Sequence, residues 1–294
     1  MNALVTAPPG YQPAAERLAA ALELPFQAIG VHRFPDGESK VTVPTSPPQT
    51  MILCQSLDRP NDKLVELLLA TATLRELGAR RLLLVAPYLC YMRQDKAFHP
   101  GEAVSQRIIG RHLAGLVDGL VTVDAHLHRI HDLHEAVPLE AAVNLSAAPA
   151  LGRFLAGQEL ERPLLLGPDA ESAQWVEQVA AAGGFEHAVA GKERLGDREV
   201  RIHLPEADFR GRTVVLVDDV LSSGLTLAMA ARAVKASGAG CVHALVTHAL
   251  FAEGAETALR EAGVERIWST DAIPHASNAV PLATLLADAV RPML

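Results

Sequence analysis

The stretch Thr213-Val-Val-Leu-Val-Asp218-Asp219-Val-Leu-Ser222-Ser223-Gly224-Leu225-Thr226 decides how the rest of the chain is read. Its apolar, β-branched start, Thr213 to Val217, is the pattern of a buried strand. The run ends in two adjacent carboxylates, passes through a short loop of hydroxyls and glycine, and continues as a helical pattern from Leu227 to Ser237. Strand, loop and helix N-terminus in that order offer backbone N–H groups, hydroxyls and a positive dipole end to a dianionic phosphate. Asp218 and Asp219 stand at the carboxyl end of the strand, where open α/β sheets bind ligands, and can accept hydrogen bonds from vicinal sugar hydroxyls. The segment reads as a sugar-phosphate site. The alternative is a tight strand-to-helix connection with a serine cap and solvated acids, which leaves two acids closing a buried strand without a reason.

Working outward, apolar runs alternate with helical patterns, which is the order of βαβ units and parallel sheets. Strands are expected at 51–54, 81–87 and 120–124 in the first half, with helices at 62–77 and 103–116. In the second half strands are expected at 164–166, 188–190, 213–217, 242–247 and 266–269, with helices at 171–182, 227–237 and 254–262. The segment from Asn144 to Arg162, with Pro149, Gly152 and Gly157, is the expected meeting place of two domains, 1–145 and 146–294. An internal echo supports two related halves. Thr50-Met-Ile-Leu-Cys-Gln55-Ser56 leads through a helix to Gly78-Ala79 and a strand, as Thr213 to Asp219 leads to Gly238-Ala239 and a strand. Gln55-Ser56 stands where the second half has its two acids, so only the second copy keeps the sugar-phosphate chemistry.

The chain has 294 residues, 49% of them hydrophobic and 20% charged, a soluble composition long enough for two domains of ordinary size. No apolar run approaches the roughly 20 residues needed to span a bilayer, and the N-terminus lacks a charged region followed by an apolar core. A cytoplasmic location without membrane partners is expected. The net charge of −8 argues against a nonspecific nucleic-acid binder, so an anionic substrate must meet a local basic site. Cys54, Cys90 and Cys241 fall in or beside apolar runs without Cys-x-x-Cys spacing, and are expected to be reduced.

Five further segments can carry chemistry. Arg33-Phe34-Pro35-Asp36-Gly37-Glu38 sets an aromatic ring beside a Pro-Asp-Gly turn and two acids, able to stack a base and accept from an exocyclic amine. Taken alone it reads first as an ordinary turn around a core Phe. The loop from Pro87 to Ser105 holds Arg93, Gln94, Asp95 and Lys96, whose cations can neutralise phosphate oxygens. Asp124-Ala-His126 and Pro168-Asp169 each follow an apolar run, and a His and a carboxylate there can share one Mg²⁺, which keeps waters and takes phosphate oxygens. Gly191-Lys192-Glu193-Arg194, on a possible glycine-flanked hairpin, sets two cations on one side of extended backbone, able to clamp charge on a transferring phosphoryl group. The chain contains no Gly-x-x-x-x-Gly-Lys-Ser/Thr loop, so a nucleotide must be held by other means.

Residues 213–226 resemble the phosphoribosyl diphosphate signature of the type I phosphoribosyltransferase fold. Taken in order from Phe34 to Pro274, the segments are similar to those of the ribose-phosphate pyrophosphokinase family over nearly the whole chain. The resemblance implies an α/β fold of two tandem type I phosphoribosyltransferase-like domains, each a mainly parallel sheet flanked by helices. It implies diphosphoryl transfer from MgATP to ribose 5-phosphate, in a homo-oligomer of dimers or their multiples. By position, Phe34, Asp36, Gly37 and Glu38 would hold adenine across a subunit interface, and Arg93, Gln94 and Asp95 would contact ATP. His126 and Asp169 would serve Mg²⁺, and Lys192 and Arg194 would be catalytic. Arg194, Asp218, Asp219, Ser222, Ser223, Gly224, Leu225 and Thr226 would hold ribose 5-phosphate. The usual Gly-Gly of the loop is Gly224-Leu225 here, and a leucine there would crowd the phosphate or require a different loop. A phosphoribosyltransferase would use the same acidic loop without needing the Phe34 and Arg93 segments. A noncatalytic subunit of such a synthetase would keep the fold, but the presence of Lys192 and Arg194 speaks against it.

Overall fold

The computed structural model describes residues 2–127, 130, 132–194 and 200–294, the side chains of 192–194, 200 and 201 excepted. The chain divides into two compact units, residues 1–145 with 282–294 and residues 146–281.

The first unit runs β1 (Ala3–Ala7), α1 (Gln12–Leu22), β2 (Phe26–Ala28), β3 (Gly30–Arg33), β4 (Ser39–Thr42), β5 (Thr50–Cys54), α2 (Pro60–Glu76), β6 (Arg81–Val85), α3 (Ser105–Leu116), β7 (Gly119–Val123), α4 (Leu133–Ala136) and β8 (Ala141–Leu145). Its six-stranded sheet has the order β2-β1-β5-β6-β7-β8, parallel at every pairing, and β3–β4 forms a separate antiparallel hairpin. The central strands are buried along almost their whole length, as continuous apolar runs such as Met51-Ile-Leu-Cys54 require when helices cover both faces.

The second unit runs α5 (Ala148–Ala156), β9 (Leu164–Gly167), a 3₁₀ turn (Ala170–Ser172), α6 (Ala173–Gly183), β10 (Glu186–Val189), β11 (Gly191–Arg194), β12 (Val200–His203), β13 (Thr213–Leu221), α7 (Leu225–Ala236), β14 (Cys241–Ala249), α8 (Ala255–Glu261), β15 (Arg266–Thr270) and β16 (Asn278–Val280). The sheet order is β10-β9-β13-β14-β15-β16, again parallel throughout, with β11–β12 as the separate hairpin. This repeats the first unit strand for strand. The echo read from two short segments therefore extends to the hairpin that follows the second strand.

Two expectations differ from the structure, and one segment holds more than was expected. The segment 144–162 contains the division after Leu145 and also α5, which occupies Ala148–Ala156 with Pro149 in its first turn, where a missing N–H costs nothing. Gly152 is there for packing, because a Cβ would lie 2.5 Å from the Val179 carbonyl oxygen of α6. Residues 282–294, placed by the sequence reading in the second domain, pack instead with the first unit. There α9 (Ala283–Val290) lies against α1, and the Arg291 guanidinium donates to the Ala21 carbonyl at 2.6 Å. Finally, the strand expected to stop at Val217 continues to Leu221, so Asp218 and Asp219 are strand residues, Asp218 opposite Val246 of β14.

Candidate active site

In the second unit the chemistry gathers at the carboxyl ends of β9 and β13. Gly167 closes β9 where a Cβ would meet the Ser172 hydroxyl at 2.4 Å, and the chain turns through Pro168 to Asp169. Asp169 caps the following 3₁₀ turn: its Oδ1 accepts from the Glu171 N–H at 3.1 Å, while the Ser172 hydroxyl donates to the Asp169 carbonyl at 2.6 Å. The cap fixes the carboxylate close to the end of β13. Asp218 is half-buried and accepts from the Asp219 N–H at 3.0 Å, and Asp219 is buried at 3% exposure. Burial, reinforced by the charges of Asp219 and Asp169, raises the Asp218 pKa well above the usual carboxylate range.

The loop that follows is stitched to the next strand connection. Ser222 O accepts from the Ala252 N–H at 3.0 Å and Leu221 O from the Phe251 N–H at 2.9 Å. Gly224 takes the left-handed conformation, φ 71°, and α7 begins at the next residue. The departure at Leu225 falls just past this turn. Leu225 is the first helical residue, needs no glycine, and turns a side chain that is 62% exposed away from the core. Ser222 and Thr226 are half-buried and Ser223 is exposed beside the N-terminus of a twelve-residue helix, whose leading N–H groups have no partner within the helix.

In the first unit the expected nucleotide segments are both tied to α2. The Phe34–Glu38 turn joins β3 to β4, closed by Gly37 N–H to Phe34 O (3.0 Å), Phe34 N–H to Glu38 O (2.8 Å) and Glu38 N–H to Asp36 Oδ1 (3.1 Å), with Gly37 at φ 93°. Phe34 is not core: it is 41% exposed, with His32 packed edge-on at 4.9 Å, and Asp36 and Glu38 are also exposed. Arg33 anchors the hairpin through Asp62 (2.6 Å) and Glu66 (3.1 Å), and those two carboxylates raise its already high pKa. The second segment is anchored one residue earlier on the same helix, where Tyr91, itself left-handed at φ 61°, donates its hydroxyl to Asn61 Oδ1 at 2.5 Å. Gln94 Oε1 accepts from the Ser105 hydroxyl (2.7 Å) and its carbonyl from the Gln106 N–H (3.2 Å). Asp95 is buried, while Arg93 is exposed and Lys96 lies 4.6 Å over the exposed Phe98 ring. Arg33, Asn61 and Asp62 were not singled out in the sequence; Arg33 stood beside the recognised turn, but nothing in the chain pattern points to its partner helix.

His126 is half-buried just past β7, where Asp124 adopts φ 40° and the Ala125 N–H donates to Asn144 Oδ1 at 3.0 Å. Its neighbour His134 is engaged elsewhere, 2.5 Å from Asp132 Oδ1, which raises its pKa. His128 and His131 lie outside the described residues. Among the described residues no group of three or more His, Cys, Asp or Glu could hold a metal ion by protein donors alone. The crowding of Asp169, Asp218 and Asp219 nevertheless suits a hydrated Mg²⁺, which binds through one or two carboxylates and relieves their repulsion. Lys192 and Arg194 lie on β11, paired with Ile202 and Val200, and their side chains lie outside the described part. In the first unit Gln55 and Ser56 are buried at the end of β5, and Lys63 donates to Ser56 O (2.8 Å) and Asp58 (2.6 Å), so an internal cation stands beside the equivalent strand end.

An acidic strand end, a glycine-closed loop and a helix N-terminus at the carboxyl end of a parallel sheet define the class of the second unit as phosphoribosyltransferase-type, and the first unit repeats its strand order without the acids. Residues 5–116 match the family model for the N-terminal domain of ribose phosphate pyrophosphokinase, and residues 144–284 match that for the phosphoribosyl transferase domain. The ribose-phosphate pyrophosphokinase of Methanopyrus kandleri is 40% identical over 276 residues, 93% of this chain and 94% of that protein. That of Methanosarcina acetivorans is 36% identical over 96% of this chain and 97% of its own length. The crystal structure of phosphoribosylpyrophosphate synthetase from Mycobacterium smegmatis superimposes with a TM-score of 0.83 at 24% identity, covering 100% of this chain and 99% of that one, which establishes the same fold. The chain belongs to the ribose-phosphate pyrophosphokinase family and is an enzyme of that class. No helix among the described residues is long and apolar enough to cross a membrane.

Proposed function

We propose that the protein transfers the β,γ-diphosphoryl group of MgATP to the 1-hydroxyl of ribose 5-phosphate, giving 5-phosphoribosyl 1-diphosphate and AMP, as a cytoplasmic homo-oligomer. The observation that carries this reading is the Asp218-Asp219 pair at the carboxyl end of β13, followed directly by the Gly224 turn and the N-terminus of α7. Ser222, Ser223, Gly224, Leu225 and Thr226 hold the 5-phosphate through backbone N–H groups and hydroxyls. Asp219 and the ionised form of Asp218 accept from the ribose hydroxyls. A cation nearby favours that ionised form.

Phe34, Asp36, Gly37 and Glu38 are assigned to adenine, and Arg93, Gln94 and Asp95 to the rest of ATP. The exposure of the Phe34 turn supports its use toward a neighbouring subunit, since a closed core would leave the ring no free face. His126 and Asp169 are assigned to Mg²⁺, which supplies charge neutralisation on the phosphates when bound. Lys192 and Arg194 are assigned to the charge that develops on the transferring group. The reaction is an in-line displacement at the β-phosphorus, so the chain contributes orientation and electrostatics rather than a covalent intermediate.

Steady-state kinetics of Asp218→Asn and Asp219→Asn test the sugar-phosphate assignment. Each is expected to raise KM for ribose 5-phosphate by about tenfold or more, the scale of a lost charge-assisted hydrogen bond, with KM for ATP changing far less. A rise in the ATP constant alone would move these residues to the other substrate.

A further inference from the structure

Phe251 lies in the connection from β14 to α8 and carries a left-handed backbone, φ 37°, which is costly for a bulky residue. Its own N–H and that of Ala252 donate to Leu221 O (2.9 Å) and Ser222 O (3.0 Å), so this backbone sets the height of the chain entering the Ser222–Thr226 loop. Gly224 rests on the same connection, its Cβ position 3.4 Å from the Ala255 carbonyl oxygen. The Phe251 ring is stacked on His275, with centroids 4.1 Å apart and planes inclined by 14°.

His275 is itself held. Its Nδ1 accepts from the Ser277 N–H at 3.1 Å and lies 2.8 Å from the Ser277 hydroxyl, while its N–H donates to Asn278 Oδ1 at 2.9 Å. Asn278 Nδ2 reaches Thr270 O (2.6 Å), Ile273 O (3.0 Å) and Ser269 Oγ (2.9 Å), which ties the β15–β16 connection into one unit. A cavity of about 140 Å³ is lined by both rings together with Glu256, Arg260 and Ile267, so on this side the connection is held by the stack rather than by continuous packing.

We propose that the Phe251–His275 stack positions the Ser222–Thr226 loop for ribose 5-phosphate. Ordered through Asn278, His275 presses on Phe251, and the strained Phe251 backbone fixes the two carbonyls from which the loop departs. Both residues are positioning residues, acting on the substrate through the loop. The proposal rests on the assignment of that loop to ribose 5-phosphate and adds a specificity element outside it.

The test is the split between the two Michaelis constants in His275→Ala, Phe251→Gly and His275→Phe. Glycine keeps the φ of 37° accessible but removes the ring and the backbone strain together, whereas His275→Ala removes the stack and leaves the Phe251 residue in place, so the pair separates the two effects. An aromatic pair contributes about 0.5–1.5 kcal/mol, hence a rise in KM for ribose 5-phosphate of roughly three- to tenfold is expected in His275→Ala and Phe251→Gly, with KM for ATP within about twofold of the parent. His275→Phe, which keeps a flat ring against Phe251, should restore most of the loss. Unchanged KM for ribose 5-phosphate in both His275→Ala and Phe251→Gly, or an equal rise in both constants, would overturn the proposal while leaving the loop assignment intact. If the parent enzyme releases no AMP with ribose 5-phosphate, the underlying functional reading fails first and the proposal falls with it.

Discussion

Asp218 and Asp219 are neighbours in the chain but alternate across the sheet, so one retains solvent access while the other is enclosed. In the proposed function this division lets one pair meet both a bound sugar and a cation. The cationic side of the proposed chemistry belongs to Lys192 and Arg194. Lys192→Ala is expected to lower kcat by about a hundredfold or more, equivalent to roughly 3 kcal/mol of transition-state stabilisation, and Arg194→Ala should behave similarly. Turnover within a few-fold of the parent would remove Lys192 from the mechanism. The cysteines give a simpler check. Burial pushes the Cys90 thiol up to about 12, and at 1% exposure it should resist alkylation at pH 8 until the protein unfolds, as mass spectrometry of native and denatured samples would show. At this scale the sequence was most informative about position, since it placed the paired acids at the carboxyl end of a buried strand, and less so about packing, since Phe34 reads first as core and is 41% exposed. It was least informative where the backbone decides. That Leu225 would be the first residue of α7, with Gly224 alone absorbing the turn, depends on a left-handed φ that two adjacent letters do not reveal.

Among the elements, the central strands and their crossover helices were legible because short continuous apolar runs alternate with longer helix-forming segments. β5, β6, β7, β13, β14 and β15 are runs of apolar, often branched residues, and α2, α3, α6, α7 and α8 begin within two residues of the expected positions. The hairpin β3–β4 carried no such signal. It is mostly exposed, and its order comes from Arg33 reaching Asp62 and Glu66 some thirty positions away. Helix α5 was hidden by its own composition, since Pro149 and Gly152 suggest a boundary between domains unless the close approach of α6 is known. Gly152→Ala puts this to the test. With a Cβ 2.5 Å from a backbone oxygen and 2.8 Å from the Ala182 methyl, the substitution should destabilise the second unit by about 1–3 kcal/mol despite its better helix propensity. Urea unfolding with no loss of stability would mean that α5 and α6 are not in close contact.

At the level of the molecule, the two units share one strand order, with a hairpin in the same place, yet differ in what stands at the end of the central strand. In the second it is Asp218-Asp219 and the Gly224 loop; in the first it is Gln55-Ser56 with Lys63 alongside. The same comparison brings together two motifs that look unrelated in sequence. The Phe34–Glu38 turn and the segment with Lys192 and Arg194 sit on equivalent hairpins, β3–β4 and β11–β12. One fold occurs twice, and in the proposed function its hairpin serves the nucleobase in one copy and the transferring group in the other. The return of residues 282–294 to the first unit was beyond sequence reading, because α9 is recognisable only by the α1 surface that it covers. The central claim is diphosphoryl transfer, and it is tested most directly by incubating the purified protein with ribose 5-phosphate, Mg²⁺ and ATP labelled at the β-phosphorus. Equal amounts of AMP and labelled 5-phosphoribosyl 1-diphosphate are expected, both dependent on the sugar phosphate; ADP as the nucleotide product, or no AMP at all, would contradict it.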